Sequence, residues 1–218
     1  MEKRIDSLPR LKSANVTVVL SPIVSSLIDR TGLAIESQTV VDLANEIIKD
    51  MNQGYKLLME MDAKIGGVGQ HNVNQEEGDM VTGAYRIEFR NIFRPIQYVY
   101  QFIGYNDLVW NSRWIVLNSC LHVEKAIKYR FNIPPKNGSS LGILLRDVGS
   151  QFDVAFLDIL KDLNKTIYRQ SKHTIEHLDI DAHDYSPADA IGIYIVCRWA
   201  GCMILMPTGL FNDWQKKK

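Results

Sequence analysis

Cysteine is scarce and odd in number: Cys120, Cys197 and Cys202 are the only three in 218 residues, and none stands in a Cys-x-x-Cys spacing. This leaves no even-numbered disulfide framework and no zinc-ribbon or thioredoxin-like motif. Each cysteine lies in an apolar, helix-patterned stretch, so buried, reduced thiols are expected. An excess of charge of either sign is also missing, with 25 basic residues against 25 acidic ones. Such a chain has no global field that drives tight nonspecific nucleic-acid binding, so any such contact must be local. The opening residues, Met1-Glu-Lys-Arg-Ile-Asp, lack an apolar run and a small-residue cleavage site. A cytoplasmic protein is therefore expected. Gly66-Gly-Val-Gly69 lacks the Lys-Ser/Thr ending of a phosphate-cradling loop, so neither a nucleotide nor any other cofactor is implied. Repeats and low-complexity tracts are absent. Apolar runs of membrane-spanning length are lacking too. Ala190 to Met206 falls just short of the roughly 18 to 20 residues required, and Arg198 lies at its centre. The lysines at 216 to 218 imitate a tail anchor, but a helix apolar all round is more often the buried centre of a bundle, and no membrane partner is expected.

What is present is helical periodicity, with 46% hydrophobic residues to fill a core. The residues 1 to 12 are charged. Helical spacing of Ile23/Leu27 and Val24/Ile28 predicts a helix after Pro22, ended by Thr31-Gly32. Ser37 is placed to cap one long helix from Gln38 to Ile65, carrying Val40, Ala44, Ile47, Met51, Leu58 and Met61, with Gly54 weakening its middle. The segment 66 to 79 reads as a loop. Val81 to Phe93 fits a helix that aligns Arg86, Arg90 and Arg94 on one face beside the aromatics Tyr98, Tyr100, Phe102 and Tyr105. Arginines next to aromatics suit single-stranded RNA, although a solvated charged face beside core aromatics gives the same pattern. Asn106 or Asp107 begins a helix through Phe131 with inner residues Val109, Val116, Cys120, Val123 and Ile127. Ser140 starts a short helix, Leu141 to Val148.

The most legible region is Val154 to Met206. Phe156, Leu160, Leu163 and Ile167 recur at four, three and four residues and predict a packing stripe. Arg169, His173, Glu176 and His177 fall on the opposite side of the same helix. An acidic loop follows, and Ser186-Pro187-Ala188-Asp189 opens the last helix with a capping serine, a proline at the first helical position and an acid in the first turn. The expected fold is an all-α helical bundle with an N-terminal helical extension: residues 1 to 65 as a helical hairpin or extension, and 80 to 218 as the main bundle, together one compact unit.

Two chemistries fit the polar stripe. An arginine and a histidine on one helix face can cleave RNA without a metal. The histidine handles the proton of the 2′-hydroxyl or of the leaving group, and the arginine holds the phosphate and stabilises its added charge. Arg169 with His173 or His177 meets that need, Glu176 stands between the histidines, and Lys172 adds a phosphate contact to those of Arg86, Arg90 and Arg94. Alternatively, His173-Thr-Ile-Glu-His177 matches the H-x-x-E-H pattern of inverted zinc peptidases, with Asp181 and His183 as further ligands of a hydrolytic metal. A polar, solvated helix end without chemistry also satisfies the pattern. His122 and Glu124, on the preceding long helix, are candidate neighbours, His122 as a partly exposed histidine pointing away from Val116, Cys120 and Ile127.

The order of a helix with Leu121-His-Val-Glu-Lys-Ala-Ile-Lys-Tyr129, a short helix, a helix ending Tyr168-Arg-Gln-Ser-Lys-His-Thr-Ile-Glu-His177, an acidic loop and Ser186-Pro-Ala-Asp-Ala190 resembles the HEPN domains over about residues 107 to 206. Those are small α-helical bundles that usually dimerise, many of them RNases of toxin, phage-defence and CRISPR-associated systems. The resemblance implies a homodimer, an RNA substrate, a partner protein of a toxin–antitoxin pair and a catalytic arginine and histidine. The family places four to six residues between the two; here three separate Arg169 from His173 and seven separate it from His177. A non-catalytic interaction or scaffold module therefore stands beside the ribonuclease as an expectation.

Overall fold

A computed structural model describes residues 18–67, 96, 112–134, 138–169 and 185–205. Among them the chain is all-α, with seven α-helices and no strand: α1 (Pro22–Thr31), α2 (Ser37–Lys49), α3 (Met51–Gly67), α4 (Ser112–Arg130), α5 (Leu141–Val148), α6 (Val154–Asp162) and α7 (Pro187–Leu205).

The segment before α7 ends in a serine because the first backbone N–H groups of a helix need an acceptor. Ser186 Oγ accepts from Asp189 N at 3.0 Å and donates to the Val19 carbonyl. The Asp189 carboxylate in turn accepts from Ser21 N at 2.7 Å, which ties the start of α1 to the start of α7. Ser21 caps α1, accepting from Val24 N, and Gly32, at φ 69°, ends it in the left-handed region that glycine tolerates best. The inner face of α1, Val24, Leu27 and Ile28, is buried.

The single helix expected from Gln38 to Ile65 is two helices, and its start is capped one residue early, at Glu36, so that Ser37 is the first helical residue. Asp50 breaks it. Its backbone is extended, at φ −142° and ψ 100°, and its side chain accepts from Asn52 N at 3.0 Å and Gln53 N at 3.2 Å. Asp50 with Gln53 three residues on is a helix-start signal hidden inside an uninterrupted apolar period, and the carboxylate's claim on two N–H groups outweighs continuation. Gly54 is then no flaw in a long helix. A Cβ there would lie 2.3 Å from the Ile47 Cα, so only glycine lets α3 fold back against α2.

On α4, Val116, Cys120, Val123 and Ile127 are all fully buried, as their spacing predicts. So are Ser119, His122, Glu124 and Lys128, because α4 lies between α7 and the turn that follows α6. Asp153 caps α6, accepting from Ala155 N and Phe156 N. Phe131, Phe152, Phe156 and Trp199 run edge to face in series with ring centroids 5.4 to 5.7 Å apart, linking α4, α6 and α7.

Helix α7 is the axis of the molecule. It packs most extensively on α4 and also meets α1, α2 and α3. By length and composition it is apolar enough to cross a membrane, yet all 19 of its residues are buried by the rest of the chain. The thiols of Cys120 and Cys197 are hydrogen-bonded, and burial first, then that bond, pushes the Cys197 thiol well above its usual range.

Gly54→Ala tests the corner. Alanine gains up to about 1 kcal/mol in helix propensity, but a methyl forced against backbone costs about 1–3 kcal/mol, and a contact as close as this one belongs at the upper end. The expected result is net destabilisation, seen as a lower urea midpoint with an unchanged slope; a more stable variant would refute the tight contact.

Candidate functional site

After α6 the chain stays helical but widens; the helix expected through His177 is described as far as Arg169, and its remainder lies outside the described residues. Leu163–Tyr168 form a π-helical turn, and Arg169 N reaches back five residues to the Asn164 carbonyl. Phe156, Leu160, Leu163 and Ile167 keep their predicted buried stripe. The wider turn brings Tyr168 in as well, since residues five apart stack in a π-helix. Tyr168 is 2% exposed, and its hydroxyl donates to Glu124 Oε2 at 2.6 Å. The other oxygen of Glu124 accepts from Lys128 Nζ at 2.9 Å, one turn along α4, with both side chains buried. Removing two opposite charges from water is costly, and such a pair survives only with its remaining lone pairs satisfied. The tyrosine hydroxyl does that here. Arg169, the next residue, is exposed. The arginine singled out by its position opposite the packing stripe thus stands at the surface on a turn whose preceding side chain is anchored in the core.

Of the residues expected to share the site, His173, Glu176, His177 and Lys172 lie outside the described residues, as do Arg86, Arg90 and Arg94. The metal set His173, His177, Asp181 and His183 also lies outside them. Among the described residues no three histidine, cysteine, aspartate or glutamate side chains come together around a common point. His122, expected to be partly exposed, is instead fully buried, because Gly201 on α7 leaves room for its ring; a Cβ at Gly201 would lie 2.1 Å from the imidazole Nε2. Glu124, named from sequence only as its neighbour, is the hub of the buried group. Its role was hidden because an i, i+4 Glu-Lys pair reads as an exposed helix face.

A second group, partly buried, has the same make-up. Asp62 Oδ1 on α3 accepts from Arg198 Nε at 3.0 Å and from the Tyr194 hydroxyl, both on α7. The single charge in the apolar run is therefore answered by a carboxylate from another helix. Burial pushes the Tyr194 hydroxyl well above the usual tyrosine range. The Asp62 charge and hydrogen bond add to this, and Arg198 pulls the other way. Tyr194 remains a neutral donor.

The described surface also holds a cleft of about 630 Å³ between α2, α3 and the loop joining α1 to α2. Leu33, Ile35, Leu43, Leu57, Met61 and Ile65 form its floor. Asp42, Glu46, Glu60 and Lys64 line its edge. The sequence places Met61 in the packing stripe of one long helix and gives no sign of a hollow, since the break at Asp50 that turns α3 back on α2 lies inside an unbroken apolar period.

Comparison of the chain with protein-family models, with curated proteins and with solved structures finds no match in any of the three. The class established is an all-α helical bundle.

Lys128→Met leaves the Glu124 carboxylate buried without its cation and is expected to cost about 3–5 kcal/mol in chemical denaturation. The triple variant E124L/K128M/Y168F, which removes the whole polar group, should recover much of that loss. Stability should also fall in alkali. A group whose folded pKa is raised contributes fully below its unfolded value and loses that contribution as pH rises. The decline thus starts near the unfolded thiol value of about 8.5, from Cys197, and steepens above about 10, from Tyr194. Tyr194→Phe should be less stable near neutrality but show a shallower decline above about pH 10; an identical slope in denaturation midpoint against pH would contradict the assignment.

Proposed function

We propose that the chain is a HEPN-like, intracellular RNA-binding bundle that cleaves RNA without a metal, with Arg169 holding the scissile phosphate and His173 or His177 moving the proton. The observation that carries this reading is the pinned turn: Arg169 is exposed while Tyr168, directly before it, is fixed in the buried Glu124–Lys128 group. An arginine whose backbone is held loses less freedom when its planar fork meets a phosphate, so the contact is directed as well as attractive. In the reaction the histidine takes the 2′-hydroxyl proton, the 2′-oxygen attacks phosphorus as the bond to the 5′-oxygen breaks, and the protonated histidine gives its proton to that oxygen, leaving a 2′,3′-cyclic phosphate and a 5′-hydroxyl. Two copies of the chain would complete the site across a homodimer, and a defence or toxin–antitoxin setting, with a partner protein, fits such an activity.

A second reading is a non-catalytic interaction module, and the apolar cleft on α2 and α3 favours it.

Incubation of the purified chain with a mixed RNA pool separates them. On the ribonuclease reading, cleavage persists in chelator, ends in cyclic phosphate, and falls by roughly 100-fold or more in Arg169→Ala. Arg169→Lys, which keeps the charge but not the fork, restores only part of it. Cleavage unchanged in Arg169→Ala combined with His177→Ala removes the catalytic reading, and cleavage that requires a divalent metal points instead to the histidine-glutamate-histidine motif.

A further inference from the structure

We propose that the cleft between α2 and α3 is a docking groove for a basic amphipathic helix of a partner protein. The site is separate from Arg169 and does not depend on the ribonuclease reading. Its floor is apolar and half-buried to buried, with Leu43 and Ile65 deepest and Met61 supplying an unbranched, adaptable side chain. Its volume of about 630 Å³ lies within the roughly 300–1,000 Å³ of built ligand sites.

The edge decides the chemistry of the occupant. Asp42, Glu46 and Glu60 set three carboxylates against the one ammonium of Lys64, a net charge of −2 around the floor. On a chain with 25 basic and 25 acidic residues this is a local imbalance, not a reflection of the whole. Lys49 approaches Glu46 at 3.5 Å, but that lysine is 77% exposed and screened by water, so it is readily exchanged for an incoming cation. Gln38 donates to Asp42 without neutralising it. Glu60 makes no hydrogen bond or ion pair among the described residues. A phosphate backbone or an anionic lipid surface would be repelled here.

The spacing argues for a helix. Asp42 and Glu46 stand one turn apart on α2, and Glu60 stands on α3, so the carboxylates belong to both helices that form the groove. A guest helix laying an i, i+3, i+4, i+7 apolar stripe on the floor presents lysines or arginines on each side of that stripe to these acids. On α2 the lining runs from Thr39 to Glu46 and on α3 from Leu57 to Ile65, roughly 11 to 12 Å of helix, which matches the length of an i to i+7 stripe of a guest helix.

The test uses the full chain and two synthetic amphipathic peptides of about 14 residues, one built from leucine and lysine, the other from leucine and glutamate, titrated by calorimetry. The lysine peptide should bind, and the glutamate peptide should bind at least about tenfold more weakly. In the charge-reversed variant E46K/E60K the preference should invert. Glu60 is exposed and Glu46 half-buried at the rim, and a thermal melt confirms that the variant folds. A lysine peptide that fails to bind, or whose affinity is unchanged in E46K/E60K, overturns the proposal. So does a change in sedimentation of the peptide-free chain on introducing E46K/E60K, since the groove would then be occupied by a second copy.

Discussion

Everything in this bundle answers to the enclosure of α7. A helix apolar around its full circumference has no face it can offer to water, so other helices must cover every side, and the gain from removing that surface from solvent is the main force assembling them. α4 covers it most extensively, α1 joins it at its start, and α2 and α3 meet it elsewhere. Close approach depends on two glycines of α7. A Cβ at Gly192 would lie 2.6 Å from Val24 Cγ1, and one at Gly201 would run into His122.

Apolar contact is non-directional and by itself would let such a helix slide or rotate. Directional constraint comes from two groups of like composition, one partly buried and one buried, each an acid shared between a tyrosine hydroxyl and a cation: Asp62 with Tyr194 and Arg198, and Glu124 with Tyr168 and Lys128. A slip of α7 along α3 would part Arg198 from Asp62, and a slip of the turn after α6 along α4 would leave the buried Glu124 carboxylate without the Tyr168 hydroxyl; each costs more than a lost apolar contact. The first group fixes α7 to α3. The second fixes the turn after α6 to α4. The two surfaces discussed above are consequences: the groove exists because α3 is held on α7 while α2 folds back on it, and Arg169 is presented because Tyr168 is anchored.

The neutral total charge conceals an acidic hollow on α2 and α3 and an exposed arginine after the π-turn. Screening confines the field of that hollow to roughly 10 Å at ordinary ionic strength, so it is local to α2 and α3.

The sequence alone determined what depends on neighbours along the chain. Period and caps located α1, α5 and the start of α7, and the buried stripes of α4 and α6, because a helix face and an N-cap are set within a few residues. They also marked α7 as a core helix. Only the tertiary structure decided the rest. The break at Asp50 hides in an unbroken period, since Gly54 becomes necessary only when Ile47 lies against it. The π-turn sets the Tyr168 hydroxyl on Glu124, two residues 44 positions apart. His122 looks exposed until Gly201 makes room for it. Each of these is settled by a partner distant in sequence, and local pattern carries no information about which distant side chain will be there.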